Sequence, residues 1–485
     1  MNTNQNLFRS VFMKGVRWSF LSTVFLSLSG ILYYAVLARF LTPADFGLFS
    51  VGLIFTGFLD FFAGAGISAV IIQEKKVTSV QYSTFFWINL IVGLCLSLLL
   101  ILFAPFISTF FQEIHLRKIL YILSATVLLN AFSLLHNNIL RKELQIADTE
   151  KIEMFATISQ IGTGVLLAIN GFSIYSLPLA FFVGKVISGF GYLWLGKKYF
   201  WPSFTFCYQS VKPQLKLGTF QVLERFFNYL RANSDKFLIG KFLGTSDLGY
   251  YTLAQKLIEF PLSKINPALN KILFPYFSRL QNRPKIISKL YVNVTTFLMI
   301  AVSPFLIFVL FFAKDIVDII LGENYHNIAP LVQILSVLGL LRSFSNIGGN
   351  LLLSIGKFQV GVIWNFWWSI IISVIIYIGL SYQADLIDIT YIIFWANFVS
   401  FFLWQTIIYS NLPFSVILLT GRLLLSLLFS FIISYLFYFC NPHVSEIFSQ
   451  KIRMIFYLLL ITILVFYTLK KIYFNNKRNM IHKWK

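Results

Sequence analysis

Apolar runs of about 20 residues, the length at which an α-helix crosses the hydrocarbon core of a bilayer, recur along this chain from end to end. A backbone in lipid must satisfy its own hydrogen bonds, so a chain built of such runs folds as a bundle of membrane helices. The runs lie at 16–38, 47–72, 84–111, 117–140, 152–171, 174–195, 217–243, 248–277, 290–313, 330–354, 358–381, 387–410, 415–439 and 453–470. The expected fold is all-α and polytopic, with about fourteen transmembrane helices. Composition agrees, since 58% of the 485 residues are hydrophobic, 12% are charged and the mean hydropathy is +0.78, a balance no soluble core of this size has. The longest interruptions are 196–216 and 278–289, which leaves no room for a sizeable soluble domain. Arg9, Lys14 and Arg17 precede the first run without a small-residue cleavage site after it, so an uncleaved first helix is expected.

The net charge of +21 would suit a nucleic-acid binder, but its distribution argues against one. With the N-terminus on the cytoplasmic side, the loops on that side carry about 23 Lys and Arg against about seven on the other, the asymmetry of the positive-inside rule. This predicts a multi-pass protein of the cytoplasmic (inner) membrane with both termini cytoplasmic. The basic loops then face membrane lipid with an anionic inner leaflet, and nucleic acid is not a partner.

"ARFLTPADFGLFS" (38–50) returns 202 residues later as "GKFLGTSDLGYYT" (240–252), with Phe40/Phe242, Leu41/Leu243, Asp45/Asp247 and Gly47/Gly249 identical. Each copy joins the first two spans of a six-span block. Six is even, so the blocks share one orientation, the parallel-repeat arrangement of some transporters. The expected organisation is 6 + 6 + 2: an N-terminal lobe over 1–196, a cytoplasmic linker over 197–216, a C-terminal lobe over 217–410, then two extra helices and a basic tail over 411–485. Asp45 and Asp247 are placed to cap the helices that follow them, and Gly47 and Gly249 to allow close packing.

Gln221, Glu224, Asn228, Arg231 and Asp235 recur every three or four residues in span 7, one stripe of a helix. Span 8 repeats the pattern with Thr252, Lys256, Glu259, Ser263, Asn266 and Asn270, adds Lys264 and Lys271, and contains Pro261, Pro267 and Pro275, each expected to kink it. A charge facing lipid at mid-bilayer costs roughly 2.5–3.5 kcal/mol on insertion scales, so these charges must meet each other or water. Arg231 with Asp235 and Lys256 with Glu259 are plausible pairs. Six bases (Arg225, Arg231, Lys236, Lys256, Lys264, Lys271) still outnumber three acids (Glu224, Asp235, Glu259), which predicts a hydrated cationic cavity and an anionic substrate. In the first lobe, Arg17 stands at the cytoplasmic end of span 1 and a solitary Asp60 in span 2, the latter a candidate for H⁺ or Na⁺ coupling or for pairing with a base from the other lobe.

His115, His136, His326, His443 and His482 are scattered, and Cys95, Cys207 and Cys440 show no metal-ligand spacing and read as packing residues. There is no P-loop and no G-x-S-x-G. Neither a catalytic nor a metal site is expected, nor any cofactor beyond a coupling cation. A membrane-embedded polysaccharide polymerase is a weaker reading. A drug/cation antiporter is the alternative, but it should prefer an acidic cavity.

The stretches "LARFLTPADFGLFSV" (37–51), "YSTFFWINLIVG" (82–93), "NSDKFLIGKFLGTSDLGYYTLAQKLIEFPLSKI" (233–265) and "LFPYFSRLQ" (273–281) resemble those of the Wzx-type O-antigen, exopolysaccharide and teichuronic-acid flippases, the polysaccharide-transport branch of the multidrug/oligosaccharidyl-lipid/polysaccharide exporter superfamily. The resemblance implies two lobes around a central cavity. It implies that a polyprenyl-diphosphate-linked oligosaccharide moves across the membrane for lipopolysaccharide or exopolysaccharide synthesis, beside polysaccharide polymerase machinery. By that resemblance Arg231, Lys256, Lys264 and Lys271, with Arg225 and Arg17, attract the diphosphate, while Glu224, Asp235 and Glu259 balance the cavity or bind a coupling cation. Spans 13 and 14 would shape a groove for the lipid tail. Members often carry an acid where this chain has Gly64, and Asp60 one turn earlier is the candidate substitute.

Overall fold

A computed structural model describes residues 2–62, 71, 77–281, 283–412 and 416–440. Span 14, the "GAG" at 64–66 and the basic tail lie outside the described residues, as do the side chains of Arg17, Glu224, Arg225, Lys264 and Lys271. Every regular element among the described residues is helical. The long helices are α1 (Asn2–Leu37), α2 (Pro43–Phe62), α3 (Ser79–Phe111), α4 (Ile114–Lys142), α5 (Ile146–Ile169), α6 (Ser176–Gly196), α7 (Lys212–Phe242), α8 (Thr245–Arg279) and α9 (Pro284–Phe311). A short α10 (Ala313–Ile320) leads to α11 (Ala329–Ser354), α12 (Phe358–Ser381), α13 (Leu386–Asn411) and α14 (Val416–Cys440). Among the described residues, nine helices are long and apolar enough to cross a membrane. The polar-striped α7 and α8 are not among them.

Thirteen of the expected spans each meet a long helix, but helix and apolar run differ at their ends. α3 begins at Ser79 rather than 84, because Thr78 and Gln81 close a capping box, and its 33 residues reach about 50 Å at 1.5 Å per residue. Hydropathy detects the part of a helix that lies in hydrocarbon, about 30 Å thick; the cap decides where the helix stops. α8 runs through Pro261, Pro267 and Pro275 as one helix.

The described chain forms two compact units. The first is residues 1–253 with 320–322 and 362–389, and the second is 254–319, 323–361 and 390 onward. In the first, α3 packs on α4, α5 on α6, α4 on α6, α1 on α5, and α2 on both α4 and α7. Its helix contacts follow membrane rules, with small residues and interhelical hydrogen bonds in place of a hydrophobic drive. Gly93 of α3 meets Ala131 of α4, the Asn89 amide donates to the Ala131 carbonyl at 2.5 Å, and the Ser97 hydroxyl donates to the Ser124 backbone carbonyl at 2.9 Å. In the second unit α9 packs on α11 and α14. Ser303 of α9 sits between Ser430 (2.9 Å) and Ser426 (3.2 Å) of α14. Cys95 and Cys207 are exposed rather than packed in a core, because lipid-facing and loop surfaces accept the same residue types as a core does.

Candidate functional site

The two copies of the repeated stretch meet in the first unit. A Cβ on Gly47 would collide with the carbonyl oxygen of Thr245, and a Cβ on Gly249 with that of Pro43. Pro43 and Thr245 are themselves equivalent positions, so each copy receives the other's glycine at the same place. This reciprocity is that of a local two-fold relation, and it requires glycine because backbone lies against backbone. Around it the helix starts are fastened. Asp45 is buried and accepts from the Thr42 backbone N–H (2.8 Å) and hydroxyl (2.9 Å), half of a capping box for α2. Thr245 at the start of α8 donates to Glu113 at 2.6 Å. Lys241 donates to the carbonyl of Phe110 and lies over that ring at 4.3 Å.

From this junction α2 and α7 run side by side. Tyr229 of α7 lays its ring against Gly57 and donates its hydroxyl to the Ile54 carbonyl at 2.6 Å. One turn beyond Gly57 is Asp60, half-buried, which accepts from the Asn130 amide of α4 at 3.0 Å. The Lys185 ammonium of α6 acts on the same carboxylate, which in turn acts on Tyr229. Asp60 therefore bonds to Asn130 of its own lobe, with Tyr229 of α7, the first helix of the 217–410 lobe, bonded to α2 nearby. Sequence reasoning flagged Asp60 alone and missed Asn130, Lys185 and Tyr229. The signal for Lys185 was available, since it is the only charge within the apolar run of α6.

On α7, Arg231 is half-buried and one of its Nη groups donates to Asn228 at 3.4 Å. Asp235 is buried; its carboxylate accepts from the Tyr251 hydroxyl of α8 and from the Lys236 backbone N–H, both at 2.8 Å. Asp235 thus ties α7 to the first turns of α8. Lys256 and Glu259, both half-buried, belong to the second unit. Among the described residues no ion pair joins Lys256 to Glu259; Glu259 accepts from Gln255 at 2.8 Å, which leaves the ammonium of Lys256 uncompensated by that carboxylate. The second unit holds one more intramembrane base that sequence reasoning passed over: Arg422 of α14, which donates to Asn293 of α9 at 2.9 Å. Among the described residues no group of His, Cys, Asp and Glu is arranged to hold a metal ion.

A fold of many helices long and apolar enough to cross a membrane, with a duplicated glycine junction, defines the class of polytopic helical membrane proteins. Within it, the chain belongs to the family described as polysaccharide biosynthesis protein, whose profile matches residues 36–330. It is 29% identical over 357 residues to the teichuronic acid biosynthesis protein TuaB of Bacillus subtilis (strain 168), covering 73% of each chain. It is 26% identical over 384 residues to the lipopolysaccharide biosynthesis protein WzxC of Escherichia coli (strain K12), covering 78% of this chain and 77% of the relative. In fold it is similar to the lipid II flippase MurJ in an inward closed conformation, with a TM-score of 0.75 at 15% identity over 95% of this chain and 99% of that one.

Proposed function

We propose that this protein is a flippase that moves polyprenyl-diphosphate-linked oligosaccharide repeat units across the cytoplasmic membrane, for lipopolysaccharide or exopolysaccharide synthesis, by alternating access. It is a transporter and not an enzyme. The observation that carries the reading is membership of a polysaccharide biosynthesis family by a chain folded as membrane helices with surplus bases on its two polar helices. A diphosphate entering a low-dielectric cavity needs compensating positive charge. At an effective dielectric of 20, one base 4 Å from a phosphate contributes about 4 kcal/mol.

Arg231, Lys256, Lys264 and Lys271, with Arg225 and Arg17 at the margins, supply that charge. Glu224, Asp235 and Glu259 keep the empty cavity from excessive self-repulsion. The lobes over 1–196 and 217–410 alternate access, with the last two helices beside the lipid tail. Asp60, held by Asn130, is the candidate coupling group for H⁺ or Na⁺. Both termini lie in the cytoplasm, and the product passes to polysaccharide polymerase machinery.

The test is mass spectrometry of polyprenyl-diphosphate-linked sugars from cells depleted of the protein. A complete repeat unit accumulates if flipping stalls; a truncated unit would point to an enzyme, and an unchanged pool to an antiporter. Lys256→Glu abolishes transport with membrane insertion intact, and unaltered export by that variant removes Lys256 from the binding set.

A further inference from the structure

Between α6 and α7 the chain runs through an irregular segment that ends in a short 3-10 turn (Tyr208–Ser210), and its two sides differ. One side is bonded to the start of α3. The Ser203 N–H donates to the Ser83 hydroxyl at 3.2 Å, the Trp87 indole donates to the Ser203 carbonyl at 2.8 Å, and the Cys207 N–H donates to the Thr84 hydroxyl at 3.0 Å. Gln81 adds a bond to the Ser210 carbonyl at 3.0 Å. The Phe200 side chain is buried in a cluster with Phe85, Phe86 and Ile139. These bonds fix the segment at the end of two membrane-crossing helices, so it is not a free tether.

The other side is aromatic and uncovered. Phe204 and Phe206, two residues apart, and Tyr208 at the start of the 3-10 turn are all exposed. Phe204 is 94% exposed even though its ring stacks on Trp87, and Trp201 is 67% exposed. Tyr199 is exposed as well. Each such ring carries about 150–250 Å² of surface that water receives poorly, and a contiguous group of them marks a contact surface. Two observations identify the partner. The exposed rings of α6, Phe190 and Trp194, precede the exposed Tyr199 and Trp201 by a few residues, so a run of exposed aromatic residues leads from a helix long and apolar enough to cross a membrane into this segment. Exposed Lys197 and Lys198 stand at its head, complementary to an anionic headgroup layer.

We infer that residues 197–208 form an interfacial anchor, with Trp201, Phe204, Phe206 and Tyr208 seated at the boundary of headgroups and acyl chains and Lys197 and Lys198 against phosphates of anionic phospholipid. The connection between the two six-helix repeats is then held at the membrane surface. Aromatic rings supply the apolar part of the attachment and the lysines the electrostatic part, the two-signal logic of surface-bound segments.

The experiment uses the full chain with Cys95, Cys207 and Cys440 changed to Ser, carrying an environment-sensitive fluorophore on Phe204→Cys or, separately, Phe206→Cys. Each is reconstituted in phosphatidylcholine nanodiscs with and without phosphatidylglycerol. Leu102→Cys, on the exposed face of α3, reports the acyl core, and Lys285→Cys, exposed in the first turn of α9, reports water. A nitroxide placed high on the lipid chain quenches both segment labels on the order of twofold and more than a deep nitroxide does, while aqueous iodide quenches them less than the Lys285→Cys label. The shallow quenching increases with phosphatidylglycerol, and Lys197→Gln/Lys198→Gln removes that increase. Iodide quenching equal to that at Lys285→Cys, with no nitroxide effect at either label, would overturn the anchor. Shielding from both quenchers would overturn it in favour of cover by protein. Quenching indifferent to phosphatidylglycerol would overturn the pairing of the lysines with anionic lipid.

Discussion

Asp60 shows how one side chain can be read wrongly as solitary. In sequence it is an isolated acid in an apolar run; in the structure Asn130 donates to it at 3.0 Å and the charge of Lys185 on α6 acts on it at a distance, with no ion pair between the two. Interacting charges of this kind couple by about 0.5–3 kcal/mol. Asp60→Asn and Lys185→Met should therefore each slow export by about tenfold or more, while the double variant loses less than the product of the two. Export assayed by complementation decides this, and strictly multiplicative losses would separate the two residues. Asp235 makes the complementary case. Its carboxylate is buried and occupied by Tyr251 at 2.8 Å, so Tyr251→Phe leaves a buried charge short of one donor at a cost of about 1.5–3 kcal/mol. A lower melting temperature in detergent checks it. The polar stripes of α7 and α8 were legible because several residues share one period. Lys185 was legible only as a lone charge in the apolar run of α6, and what Asn130 and Arg422 bond to was not, because the partner of a polar residue is set by the helix it faces.

Elements meet in this fold where side chains are smallest. The start of α2 contacts the start of α8 through Gly47 and Gly249, each against the backbone carbonyl of its counterpart. Gly47→Ala and Gly249→Ala each force backbone apart and should destabilise by about 1–3 kcal/mol, as overpacking does. The double variant should cost less than the sum, since one displacement of the junction accommodates both methyl groups. Thermal melts of the three variants test this, and additive losses would show that the two glycines do not share one contact. The duplicated motif announced a repeat in the sequence; that its two copies touch was invisible there, because the offset of 202 residues says nothing about distance in space. The same holds for α9 and α14, whose serines at 303, 426 and 430 form one hydroxyl cluster that neither run displays alone.

At the level of the molecule, orientation follows from charge. Green fluorescent protein fused after Lys198 should fluoresce, and alkaline phosphatase fused after Asp318 should be active, because the basic loops stay on the cytoplasmic side. The reverse pair of signals would invert the topology and with it the direction of export.

The sequence alone determined the helical class, the number of runs and the sign of the charge they carry, since insertion into lipid is decided segment by segment by hydropathy and by flanking bases. It also carried the duplicated motif, because internal repeats survive as local similarity. Tertiary structure alone decided which of the charges stand together. Asp60 acquires Asn130 from another helix, Asp235 is bound by Tyr251 of the next helix, and Ser203 fastens the connection between the lobes to α3. Contacts between helices depend on rotation and depth in the membrane, and those are set by neighbouring side chains rather than by the run that carries the residue.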